Sequence, residues 1–239
     1  MDNLLVYMQR EDLFTPVHKG IRSMIYELGK EMQTTDFTDK NATERMCARI
    51  KNDFKTATSA CVLCLLPEHA DDESQKIFPE VRAHEPKMIE TLLEEHRLIE
   101  KKMEEISESS NELNRLENLE RRIEDGYKLN QVVNDFFAYY ATHMNKEEKT
   151  LVPAMQKYFT DEQIAGMRAK IMQGKSPERL AEWMRWMLPS LNINELVGMV
   201  NGLKKTAPPQ VFEGMSLMVE KNIGKEKWGL VKAKLDPRI

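Results

Sequence analysis

Cysteine is scarce in this 239-residue chain. Three are too few for a disulfide framework, so the fold must rest on a buried apolar core. Glycine and proline number ten each, few for a chain of many tight turns. No β-branched run alternates with polar residues, so a sheet-rich fold is excluded. No stretch stays apolar long enough to span a bilayer. The start, MDNLLVYMQRED, lacks the basic and apolar segments of an export signal, and a cytoplasmic location is expected. An excess of one charge is missing too. The 35 Lys and Arg are interspersed with 39 Asp and Glu for a net charge of −4, which leaves no basic face for nucleic acid and none for a membrane.

What remains is a chain rich in good helix formers, with methionines at helical spacing as gap-filling core, so the expected class is all-α. Thr15-Pro16 predicts a cap followed by a helix, whose inward stripe is His18, Ile21, Ile25 and Leu28. A second helix is expected from Asn41-Ala42-Thr43 through Met46, Ile50, Phe54, Ala57 and Val62 to Leu65, Leu66 and His69. Pro67 should kink or restart it, and Pro79 should end it. A third starts near Pro86 with the stripe Ile89, Leu92, Leu93, His96, Ile99, Met103 and Ile106, and polar residues 107–114 form the next connection. A fourth carries Leu116, Leu119, Ile123, Tyr127, Val133, Phe137, Tyr140, His143, Glu147 and Leu151 inward and stops at Pro153. Four helices with short joins predict an antiparallel up-and-down four-helix bundle over residues 1–158. Residues 159–239 form a C-terminal extension of about five short helices, opened by the caps Thr160 and Ser176 and carrying Trp183, Trp186 and Trp228. With no histidine there, the extension reads as a packing layer or a surface for a protein partner.

The chemistry lies in a repeat. His69-Ala-Asp-Asp-Glu73 runs on to Pro79, and His143-Met-Asn-Lys-Glu147 runs on to Pro153, with histidine, glutamate and proline all recurring at an offset of 74. Each half has a further histidine on the preceding helix: His18 lies 51 residues before His69, and His96 lies 47 before His143. Residues four apart share a helix face, here the apolar one. A carboxylate buried there without a partner would protonate or unfold the chain. Two divalent cations would satisfy His18, His69, Glu73, His96, His143 and Glu147 together. Four imidazoles and two carboxylates suit iron, with manganese or zinc as alternatives.

A single His-x3-Glu pair on an acidic helix is common by chance, and His96 with Glu100 is an instance. The matched offsets are what distinguish the two repeats. Other residues keep two readings. His84 belongs to a solvated loop or supplies a further donor at the metal face. Cys61-x2-Cys64 is a redox or zinc pair, or helix packing. Tyr26 and Tyr140 approach the metals or pack in the core, and Asn130 needs a partner at the inner face.

This arrangement of His18, His69-x3-Glu73, His96 and His143-x3-Glu147, with its Phe-Pro and Val-Pro endings, resembles the hemerythrin-like (HHE) cation-binding domain over residues 10–158. The resemblance implies a four-helix bundle with a non-haem di-iron centre bridged by carboxylates and an exchangeable position for O2, NO or peroxide. The segment from Trp186-Met-Leu-Pro189 to Glu195 is similar to helical extensions in some bacterial and plant members. Oxygen carriers of that family place two histidines four apart on the third helix, where this chain has Leu92, His96 and Glu100. One iron then lacks an imidazole, which favours sensing, iron handling or reaction over reversible O2 carriage. Three functions follow as expectations. The first is a di-iron protein that binds or senses O2, NO or peroxide, or handles iron. The second is a di-iron enzyme such as a peroxidase, an NO reductase or a cluster-repair protein. The third is a helical interaction module without metal.

Overall fold

The computed structural model describes residues 10–53 and 65–235, and among these it is all-helical, with no strand. The helices are α1 (Thr15–Gln33), α2 (Lys40–Asp53), α3 (Leu65–Asp72), a π-helical turn (Glu73–Ile77), α4 (Phe78–Arg82), α5 (Pro86–Leu113), α6 (Leu119–Tyr158), α7 (Asp161–Gln173), α8 (Pro177–Ser190), α9 (Ile193–Thr206), α10 (Pro209–Ile223) and α11 (Lys225–Lys232). Helix α5 packs on α6, α2 and α4, and α1 packs on α6 and most extensively on α8. Among the described residues no helix is long and apolar enough to cross a membrane. Phe54, Ala57, Val62 and the Cys61-x2-Cys64 pair lie outside the described residues.

Several boundaries differ from the sequence expectation. Thr15 does not cap α1. Asp12 Oδ1 accepts from the Phe14 and Thr15 backbone amides instead, because a carboxylate three residues back reaches the free N–H groups and Thr15 is already helical. Pro79 does not end the second run. The chain widens into the π-helical turn, where the Phe78 amide bonds back to Glu73 O, and helix then continues to Arg82. Polar residues 107–113 continue α5 rather than leaving it, with Leu113 and Ser110 buried and Ser110 Oγ donating to Cys47 O. Pro153 stands inside α6, which runs on to Tyr158 with Leu151, Ala154 and Met155 buried on either side of it.

The inner face of α6 also shifts at its N-terminal end. Tyr127 is 65% exposed and Leu119 49%, whereas Arg122, Gly126 and Leu129 are buried. Arg122 turns inward because its guanidinium donates to Phe37 O and Thr38 O, tying down the turn after α1. Gly126 turns inward because the Phe37 ring fills the space of its missing side chain. A Cβ at position 126 would stand 2.4 Å from Phe37 Cγ.

Three apolar clusters form. One holds Ile21, Leu66, Ile99, Tyr140, Met144 and Trp183, and another holds Phe14, Ile77, Phe78, Leu92, Leu151, Ile164 and Met167. Helices α7 and α8 thus share core with α1–α6. The third has its buried residues within Leu188–Val231. Between the first two clusters, at one level on α1, α3, α5 and α6, sits a polar layer.

Candidate metal centre

The helical period that makes Phe14 and Ile21 core residues places His18 between them, and the same spacing seats His96 between Leu92 and Ile99. His69 and Glu73, four apart on α3 and its π-helical turn, approach at 3.0 Å (Nε2 to Oε1). His143 and Glu147, four apart on α6, approach at 3.2 Å. All six side chains are buried, His18 and Glu147 completely.

Packing brings these four helices into a common interior. His18 Nε2 lies 3.0 Å from His69 Nε2, and His96 Nε2 lies 3.1 Å from His143 Nε2. The two carboxylates stand between the imidazole pairs. Glu73 Oε2 is 3.3 Å from His96 and Glu147 Oε2 is 3.4 Å from His18, so each glutamate faces both pairs. Two donor groups result, His18–His69–Glu73–Glu147 and Glu73–His96–His143–Glu147, each with its atoms within 4.8 Å of one another. Either group could hold a metal ion.

The donor chemistry fits a cation closely. None of the four oxygens of Glu73 and Glu147 has an aligned hydrogen-bond donor, although all are fully buried. Four unsatisfied carboxylate oxygens in a core cost several kcal/mol unless something positive sits among them. The 3.0 Å between His18 and His69 Nε2 matches two donors at right angles around an ion with bonds of about 2.1 Å.

Electrostatics shows the same demand for positive charge. Burial works against protonating His18, yet the facing carboxylates of Glu147, Glu148 and Glu73 outweigh it and raise its pKa well above the usual imidazole value. His96 is likewise disfavoured by burial but pushed up to about 9 by Glu147 and Glu73, and His143 is raised by Glu147 and Glu95 against the cost of burial. Burial dominates at His69 and lowers its pKa to about 4. Glu147 is held well below the carboxylate range, the imidazoles of His143, His18 and His96 overcoming its burial. The two glutamates thus attract protons onto three imidazoles wherever no metal supplies the charge.

A set of supporting residues was not evident in the sequence. Glu148 Oε1 lies 2.9 Å from His18 Nδ1 and is itself bound by Arg22. Glu95 Oε2 lies 2.8 Å from His143 Nδ1 and is bound by Lys146. Ser74 Oγ lies 2.9 Å from His96 Nδ1. Each fixes the ring so that Nε2 points inward. The only sequence signal was adjacency, since Glu148 follows Glu147, Glu95 precedes His96 and Ser74 follows Glu73.

The remaining sequence candidates separate cleanly. His84 is exposed in the turn after α4, stacked on Tyr158 with ring centroids 4.4 Å apart. Tyr26 is 62% exposed, and Asn130 accepts from Asn134 near the surface of α6. Tyr140 does reach the site, fully buried with its ring centroid 6.1 Å from that of His143. Burial and the charges of Glu73 and Glu147 hold its phenol protonated. Leu92 is buried and Glu100 exposed, so α5 offers one imidazole only, and the four imidazoles divide two and two. No family model, curated protein or solved structure matches this chain.

Proposed function

We propose that this chain is a hemerythrin-like non-haem di-iron protein that binds or senses O2, NO or peroxide, or handles iron. In this reading α1, the α2–α4 run, α5 and α6 form an antiparallel four-helix bundle. His18 and His69 would hold one ion, His96 and His143 the other, and Glu73 and Glu147, which belong to both donor groups, would serve both. The observation that carries the reading is the set of four buried carboxylate oxygens without hydrogen bonds, lying between two imidazole pairs. Iron there would supply the one- or two-electron exchange with a small oxidant that side chains cannot provide. Manganese or zinc would fit the same donors.

The chain's own residues account for the rest. Glu73 and Glu147 carry the negative charge that offsets two cations in a dry interior. Glu148, Glu95 and Ser74 keep three imidazole Nε2 atoms free of protons on the inner side when metal is bound. Phe14 and Phe78 pack their rings against His18 and His96, and Leu92 and Leu151 fill the layer beside them, which excludes bulk water. Two imidazoles and two shared carboxylates in each donor group would hold an ion with fewer protein donors than an octahedral iron takes.

The test is elemental analysis of the protein purified without added metal, with optical spectra of the ferrous form before and after air. About two iron per chain and new charge-transfer bands on oxidation support the proposal. Equal, negligible metal in the native protein and in an H69A/H143A double variant would overturn it. Stopped-flow mixing with peroxide or NO then separates binding, seen as a stable stoichiometric adduct, from turnover.

A further inference from the structure

The four imidazoles are not held alike. His18, His96 and His143 each have a hydrogen-bond partner at Nδ1. For His69 the structure shows none among the described residues. Its ring meets the Trp183 ring instead, with centroids 6.2 Å apart at 61°.

Trp183 belongs to a partly buried charge cluster that grips α3 on both sides of His69. Glu68, the residue before it, accepts from Trp183 Nε1 at 3.0 Å and from Lys175 and Arg179. Asp72, three residues after it, accepts from Lys175 at 2.6 Å and from Lys76 at 2.5 Å. Lys175 is more buried than either acid it joins, its side chain 8% exposed. Apart from Lys76, these cationic and aromatic partners lie in the Lys175–Trp183 stretch that joins α7 to α8 and opens α8. Helix α8 is in turn seated on α1, so closely that a Cβ on Gly20 would stand 3.0 Å from the Met187 backbone. It therefore spans the two helices that supply His18 and His69. No contact of this stretch reaches His96 or His143 among the described residues.

We infer that the C-terminal extension is part of the centre: Lys175, Arg179 and Trp183 are positioning residues for His69, and they set how tightly the His18–His69 donor group retains its ion. The inference rests on the metal reading above. It makes the two metal positions unequal, with the His18–His69 position gripped by the Lys175–Trp183 stretch and the His96–His143 position without direct contact to it among the described residues. Loosening α8, by a partner or a substitution, then releases one ion and leaves the other.

Full-length protein loaded with cobalt(II) tests this, with chelator challenge followed by the cobalt absorption bands. In K175A and in R179A, one of two equivalents is expected to leave at least tenfold faster than in the native protein while the second leaves at the native rate. K175R should restore retention, and W183F, which keeps the ring but loses its N–H, should fall between. Equal acceleration of both equivalents, or no acceleration, overturns the inference. Histidine ring resonances of the metal-free variants provide a readout that needs no metal. Those of His69 should shift or broaden in K175A while those of His143 stay in place. A native protein that takes up no cobalt overturns the metal reading alone. His69 resonances unmoved in K175A overturn the positioning role whether or not metal binds.

Discussion

Glu95 precedes His96 on α5, yet its carboxylate lies 2.8 Å from Nδ1 of His143 on α6. Glu148 behaves the same way, following Glu147 on α6 and reaching His18 on α1 at 2.9 Å. Each helix thus orients an imidazole that belongs to its neighbour, and the ring planes are set by contacts between helices.

Removing either carboxylate should weaken metal binding without removing a donor. Glu95→Gln and Glu148→Gln are each expected to lower affinity about 10- to 100-fold. Competition with a chromophoric chelator measures this, and unchanged far-UV circular dichroism would show that the helices persist.

Metal uptake should release protons. His96, raised to about 9, is largely protonated at neutral pH when no metal is bound, and His18 and His143 are raised in the same direction. Calorimetric titration in buffers of different ionisation enthalpy should show proton release at pH 7 that shrinks above pH 9. No buffer dependence would contradict the pKa assignment.

The metal-free protein should lose stability as pH rises. A histidine whose folded pKa exceeds its unfolded value of about 6.5 stabilises the fold fully below that value. That contribution disappears as pH climbs through the folded pKa, so the window for His96 is 6.5 to about 9. His69, lowered to about 4, acts in the opposite sense and destabilises only below 6.5. Melting temperatures of chelator-treated protein should therefore fall between pH 6.5 and 9, and metal-loaded protein should show a smaller fall.

Gly126→Ala should destabilise the fold despite the better helix former. The added Cβ meets Phe37 Cγ at 2.4 Å, and overpacking of about 1–3 kcal/mol exceeds the gain of ~1 kcal/mol from alanine on average, for a net loss of about 0–2 kcal/mol. Urea unfolding gives the value. A Phe37→Leu background should recover part of it.

Asn192 caps α9 with a reciprocal pair, its side chain accepting from Glu195 N while Glu195 accepts from Asn192 N. Asn192→Ala is expected to cost about 1 kcal/mol. Because α9 belongs to the apolar cluster separate from the metal layer, metal stoichiometry should stay at the native value.

The all-helical class could be read from composition and period, since both act over a few residues. The inward placement of the six histidine and glutamate side chains came from the same logic, each lying on the apolar stripe of its own helix. The reading failed where a partner far along the chain changed what a position could bury. Ile123 and Tyr127 fit the stripe of α6 better than Arg122 and Gly126 do. The turn at Phe37 and Thr38 supplies the carbonyls and the ring that draw the latter pair inward. Proline misled in a related way. Pro79 and Pro153 looked like helix ends, but the chain absorbs one with a π-helical turn and carries the other within α6.

Composition and spacing by themselves determined that the chain is helical and that two His-x3-Glu pairs and two further histidines face inward. Helical periodicity and the cost of burying charge operate within a single helix. Only the tertiary structure decided that the imidazoles meet in twos across helices, that Glu95 and Glu148 orient a neighbour's histidine, and that Trp183 closes on His69. The last contact joins α8 to α3 through Glu68, 115 positions from Trp183 in the chain. Such pairings depend on where helices cross and how far their side chains reach, and no local rule of helix formation encodes that distance.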